Sequence, residues 1–208
     1  MGGLVAYAYG NIDRCANNGA VSISATFANT GAAGGIVGYT EAQVDNTNNS
    51  GNVTVAFDEV GVKVAVVNVT AAPSIGGVVG LAQGNGTFSM TNCTNSGTIN
   101  YSLKSALVST GMTRCGIAGI VGSPNGKVEK CTNTGEIIVN LPLAAGVTGK
   151  EMIACVGGIG GSDYHATAQG DRPAQSATDY IDCVNEGTIK FHSDVANSNS
   201  TCGGIVGW

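Results

Sequence analysis

Gly34-Gly35-Ile36-Val37-Gly38 decides how this chain folds, because the chain repeats it. The segment returns as Gly76-Gly77-Val78-Val79-Gly80 and Gly203-Gly204-Ile205-Val206-Gly207. Looser copies stand at Gly2-Gly3-Leu4-Val5-Ala6, Ala118-Gly119-Ile120-Val121-Gly122 and Gly157-Gly158-Ile159-Gly160-Gly161. After the first five copies comes a turn: Cys15-Ala16-Asn17-Asn18-Gly19, Thr47-Asn48-Asn49-Ser50-Gly51, Cys93-Thr94-Asn95-Ser96-Gly97, Cys131-Thr132-Asn133-Thr134-Gly135 and Cys183-Val184-Asn185-Glu186-Gly187. Sixteen residues carry Gly3 to Gly19, Gly35 to Gly51 and Gly119 to Gly135; two other copies carry insertions. A short unit repeated at nearly fixed length specifies a stack of coils and not a globule around one closed core.

The segment after each turn alternates with period two. Val21, Ile23 and Ala25 are followed in later copies by Val53, Val55 and Phe57, by Ile99, Tyr101 and Leu103, by Ile137, Val139 and Leu141, and by Ile189, Phe191 and Ser193. The residues between, such as Ser22, Thr54, Asn100 and Lys190, are mostly polar. That pattern is a β-strand with one buried face. The position three before the turn cysteine is apolar in every copy (Ile12, Val44, Met90, Val128, Tyr180), which predicts a second strand ending at the cysteine. Gly-Gly-Ile-Val-Gly predicts a third. The expected architecture is an all-β parallel β-helix, or β-solenoid, of about five coils of roughly 40 residues with three short strands each. Right-handed winding is expected from the usual hand of parallel crossovers. The whole chain, 1–208, reads as one solenoid domain. Its repeats run over about 2–32, 33–74, 75–115, 116–155 and 156–202, with a partial one at 203–208. The pattern is already running at both ends, so the chain reads as a fragment of a longer protein.

Composition narrows the function classes. At 43% apolar and 11% charged, the chain lies outside the composition of a disordered segment. A net charge of -5 opposes sequence-independent binding to nucleic acid and docking on an anionic membrane. No apolar run approaches the length of a membrane-spanning helix, so no direct membrane insertion is expected of this segment.

Gly-Gly-Ile-Val-Gly followed by Cys-x-Asn-x-Gly-x-Ile resembles the GLUG-motif repeats, which occur in large secreted and surface proteins of bacteria. The Cys-Thr-Asn-x-Gly variant is similar to those of gut Bacteroidales. The resemblance covers essentially the whole chain. It implies a β-helical stack and an exported, adhesin-like protein located outside the cell or on its surface.

The repeated polar residues have structural and functional readings. Stacked Asn17, Asn49, Asn95, Asn133 and Asn185 predict a hydrogen-bonded ladder at a corner that tolerates left-handed backbone; a row of ligand-binding amides is the functional alternative. Four cysteines, Cys15, Cys93, Cys131 and Cys183, belong to the turn. Cys115, Cys155 and Cys202 lie shortly before Gly-Gly, and both sets are expected to form vertical stacks. No Cys-x-x-Cys pair supplies the commonest zinc spacing. Thr47 replaces one turn cysteine, which favours small inward-facing thiols over cross-links. His192 falls on the outward phase of its strand.

Candidate chemistry concentrates in two places. The long insertion of repeat five carries Asp163, Tyr164, His165, Asp171 and Arg172, the expected ligand-binding loop. Two positions before the turn cysteine, Asp13, Asp45 and Glu129 form an acidic wall interrupted by Thr91. These groups leave open a polysaccharide-active lyase or glycosidase, which needs convergent carboxylates. The reading preferred here is a non-enzymatic stalk or adhesin segment with no cofactor and no metal, binding a host or matrix protein or a glycan through protruding loops. A pure structural spacer is the remaining alternative. Open stack ends also predict end-to-end self-association.

Overall fold

The computed structural model describes residues 1–27, 31–59, 73–83, 87–105, 113–141, 152–162, 178–194 and 200–208. Every regular element among them is a β-strand, and every strand pairing is parallel. One coil is typified by Ala32–Gly34, Val37–Thr40, Val44–Asp45, Asn48–Asn49 and Val53–Glu59. Each of these five strands stacks on its equivalents in the neighbouring coils, building five parallel walls. The first wall holds Ala32–Gly34, Ser74–Gly76, Thr113–Ala118, Met152–Gly157 and Thr201–Gly203. The fifth holds Val21–Phe27, Val53–Glu59, Ile99–Ser105, Ile137–Leu141 and Ile189–Ser193. This is the expected parallel β-solenoid.

The three middle coils carry five strands each where three were expected. The Gly-Gly segment contributes two of them because the chain folds back on itself there. A Cβ on Gly76 would collide with the carbonyl of Val79, and one on Gly80 would lie 2.6 Å from the Ala33 amide of the coil before. The first and second walls therefore pack back to back at backbone distance, which only residues without side chains allow. The other split falls just before the turn cysteine. Arg14, Asn46, Asn92, Lys130 and Asp182 all have φ between 51° and 54°. This left-handed residue ends the third wall at Asp13, Asp45, Thr91, Glu129 and Ile181, and lets the two-residue fourth wall begin beyond the cysteine. The left-handed backbone expected at the corner asparagine thus sits three residues earlier.

Inward side chains form two separate apolar columns. One lies between the first and fifth walls and contains Val53, Val55, Ile75, Ile99, Tyr101, Ile117, Ile137 and Val139. The other contains Ile36, Val37, Val44, Val78, Phe88, Met90, Ile120 and Val128. Burying one such aliphatic side chain stabilises by about 1.5–3 kcal/mol, so the columns supply the main cohesion. The alternating strand delivers its odd members in register, with Val21, Val53, Ile99, Ile137 and Ile189 on one level. Burial falls off at the last coil, where Ile189, Phe191, Tyr180 and Cys183 are only partly covered.

Candidate functional site

The five corner asparagines stand in one column between the two apolar cores. Asn17 Nδ2 donates to Asn49 Oδ1 at 2.9 Å, Asn49 to Asn95 at 2.8 Å, Asn95 to Asn133 at 2.9 Å and Asn133 to Asn185 at 2.8 Å. Each Nδ2 also donates to the carbonyl of the turn glycine two residues on, at 2.7 to 3.0 Å. The buried amides are therefore satisfied on both sides, as burial in an apolar surrounding demands. A Cβ on Gly35, Gly77, Gly119 or Gly158 would overlap the amide of Asn49, Asn95, Asn133 or Asn185. The second glycine of Gly-Gly and the corner asparagine are thus two halves of one contact. Inward-facing and hydrogen-bonded to one another, these amides form a structural ladder and not a ligand-binding row.

The turn cysteines fill a second column beside it. Cys93 Sγ donates to the Thr91 carbonyl at 3.4 Å, Cys131 to Glu129 at 3.3 Å and Cys183 to Ile181 at 3.4 Å. Each bond spans the left-handed residue and closes the corner. Thr47 Oγ1 makes the same bond to the Asp45 carbonyl at 2.8 Å. All seven cysteines are free thiols. The other three do not form the stack expected of them: Cys115 is level with Ala154, Cys155 with Gly116 and Thr201, and Cys202 with Val156. Each successive member slips by one residue, so Cys115 and Cys155 point to opposite faces of the first wall. Burial, with the neighbouring Cys155 thiol second, raises the pKa of Cys115 well above the usual thiol range.

The acidic wall exists as a register, and two of its three acids are paired. Asp13, Asp45, Thr91, Glu129 and Ile181 share one level of the third wall. Asp13 accepts from Asn46 Nδ2 and from Arg14 Nε, and the Asn46 bond is the largest cause of its lowered pKa. Glu129 pairs with Lys127 and Lys130, which lower its pKa likewise. Among the described residues no three metal-ligating side chains come together. His192 lies on the surface, 3.0 Å from Asp194. Asp163, Tyr164, His165, Asp171 and Arg172 of the repeat-five loop lie outside the described residues.

A cluster that sequence reasoning missed lies on the second wall. Tyr7, Tyr39 and Leu81 occupy one level of it. The rings of Tyr7 and Tyr39 stack, with centroids 4.4 Å apart and planes 20° apart. Tyr9 tilts against Tyr7, with centroids 4.5 Å apart. Tyr7 Oη donates to Glu41 Oε1 at 2.9 Å, and Tyr39 Oη lies 3.0 Å from both Glu41 Oε1 and Gln83 Oε1. Hydrogen bonding to Tyr9, followed by desolvation and the Glu41 carboxylate, raises the pKa of the Tyr7 phenol far above its ordinary value. Tyr7 is 43% exposed and Tyr9 77%, both at the edge of the second wall, where no further strand among the described residues stacks on them. Tyr7-Ala8-Tyr9 and Tyr39-Thr40-Glu41 alternate outward along their strands, which was the available signal.

Residues 71–100 match the family model of the GLUG motif. The chain therefore carries a GLUG repeat in its third coil, and the strand register extends the same arrangement to the coils on either side. No curated protein and no solved structure matches the chain.

Proposed function

We propose that this GLUG-repeat chain is a non-enzymatic segment of a secreted or cell-surface bacterial protein, a β-solenoid stalk that presents binding surfaces for a host protein or a glycan. One observation carries the reading. The connection from the fifth wall of one coil to the first wall of the next varies from four residues (28–31) to fourteen (60–73), while the register of the walls stays constant. The repeated polar residues serve the stack, and variation is confined to what leaves it. That division suits a rigid support carrying changeable contacts.

Antibody labelling of intact cells that produce the protein tests the location. Surface staining before lysis is expected; staining only after lysis would sink the reading. Incubating the purified chain with plant and mucin polysaccharides tests the non-enzymatic part, since release of reducing or unsaturated sugar ends would assign it to the lyases or glycosidases instead. Replacing residues 163–177 with a short Gly-Ser linker should abolish any binding that the repeat-five loop supplies.

A further inference from the structure

We propose that Tyr7, Tyr9, Tyr39, Glu41 and Gln83 form a saccharide-binding site on the second wall, open to the hydroxyl-rich edge of a neutral glycan chain. The site rests on the proposed function only for where the glycan would be met; its chemistry stands on the cluster itself.

The make-up of the cluster points to a polyol. Glu41 has no Lys or Arg partner among the described residues and is held by phenol hydroxyls. Its Oε1 takes the Tyr7 hydroxyl and shares that of Tyr39, which leaves Oε2 as an acceptor. The Tyr39 hydroxyl has one proton for two acceptors, so the cluster offers donors and acceptors together, and Gln83 adds an amide to the row. Sugar hydroxyls both donate and accept, whereas an organic cation only donates. The ring faces of Tyr7 and Tyr39 that meet in the stack are closed to a ligand. Tyr9 keeps most of its ring in solvent, a platform for the apolar C–H face of a pyranose. The row Tyr9, Glu41, Gln83 runs along the stack across three coils, with successive strands about 4.8 Å apart. An extended oligosaccharide lying along the axis fits that line better than a compact ligand does.

The test is calorimetric titration of the whole chain with neutral oligosaccharides of glucose, galactose, mannose and xylose, with Tyr9→Ala, Glu41→Gln and the linker variant at 163–177 alongside. At least one sugar is expected to bind. Tyr9→Ala should weaken it about tenfold, as loss of one aromatic platform does. Glu41→Gln should weaken it severalfold with the ring stack intact, and the linker variant should bind normally. Unchanged thermal unfolding of Tyr9→Ala shows that the stack survives. Failure of all the sugars to bind overturns the site. So does binding that ignores Tyr9→Ala; if the linker variant abolishes it, the glycan reading moves to the loop and the proposed function survives. Binding of tetramethylammonium or polylysine in place of sugars would make the cluster a cation site and overturn the proposal. Intracellular location of the protein would remove the proposed function without touching the titration.

Discussion

The asparagine column and the thiol column run side by side, yet they obey different rules. Asparagine occupies its level in all five coils, while threonine replaces cysteine at position 47. The asparagine must donate twice, accept once and fit a flat amide against a glycine of its own coil. No other side chain has that set of groups at that length. The cysteine needs only one donor aimed at a carbonyl two residues back, within a small volume, and a threonine hydroxyl supplies it. What a position demands is therefore measured by how many partners it must satisfy at once, and not by how deeply it is buried.

Breaking the asparagine column should cost most. Asn95→Ala takes the acceptor from one Asn49 amide hydrogen and the amide donor from the Asn133 oxygen and the Gly97 carbonyl, so a loss of about 3 kcal/mol in urea unfolding is expected. Gly77→Ala should be as damaging, because its Cβ would meet the Asn95 amide and the Gly119 carbonyl together. Removing the asparagine side chain in the same molecule should not rescue it, since the carbonyl remains. The thiol column should yield less. Cys93→Ala is expected to lose about 1–2 kcal/mol and Cys93→Thr under about 1 kcal/mol. A Cys93→Val variant as stable as Cys93→Thr would show that the thiol acts by volume alone.

Alkaline pH probes the same contrast, since thiols titrate and amides do not. Burial raises the pKa of Cys115 and Tyr101, while hydrogen bonding to Cys131 and then burial raise that of Cys183. In the unfolded chain thiols ionise near about pH 8.5. Above that pH the unfolded state holds fewer protons than the folded one, so stability should fall as pH rises. Below it these groups add no pH dependence. Urea midpoints at about pH 7.5 and about pH 10 should show the fall, and Cys115→Ala should flatten it. The smallest effect is expected at the corner. Lys130 holds φ at 52°, so Lys130→Gly should relieve backbone strain and stabilise by about 0.5 kcal/mol. A clear loss there would mean that the Glu129 ion pair contributes more than an exposed pair ordinarily does.

The stack, its coil length and its inward faces were readable in the sequence because Gly-Gly, Asn-x-Gly and the alternating strand recur with fixed spacing. The five-strand coil was not. Two-residue strands such as Val44–Asp45 and Asn48–Asn49 are too short to show a period, and a single left-handed residue at 46 separates them from one another without a glycine to mark it. Cys115, Cys155 and Cys202 looked equivalent because their distance to Gly-Gly is similar, but a one-residue slip per coil turns neighbours to opposite faces. The tyrosine cluster escaped because its two repeat positions carry different residues from coil to coil: Tyr7, Tyr39 and Leu81 at one, Tyr9, Glu41 and Gln83 at the other. Repeats expose what every coil has in common, and a binding site is built from what they do not share.

The asparagine bonds all point the same way, from Asn17 toward Asn185, and every coil offers the same oxygen below and the same amide hydrogens above. Gly34 and Gly76 are level. Joining Gly34 to Gly77 would excise one coil and bring Asn17 onto Asn95 with nothing left unmatched. A gene carrying such a chain can grow or shrink by whole units through unequal recombination, and each product is again a closed set of amides. Length becomes a heritable quantity that selection can adjust in single steps, independently of what the surface carries.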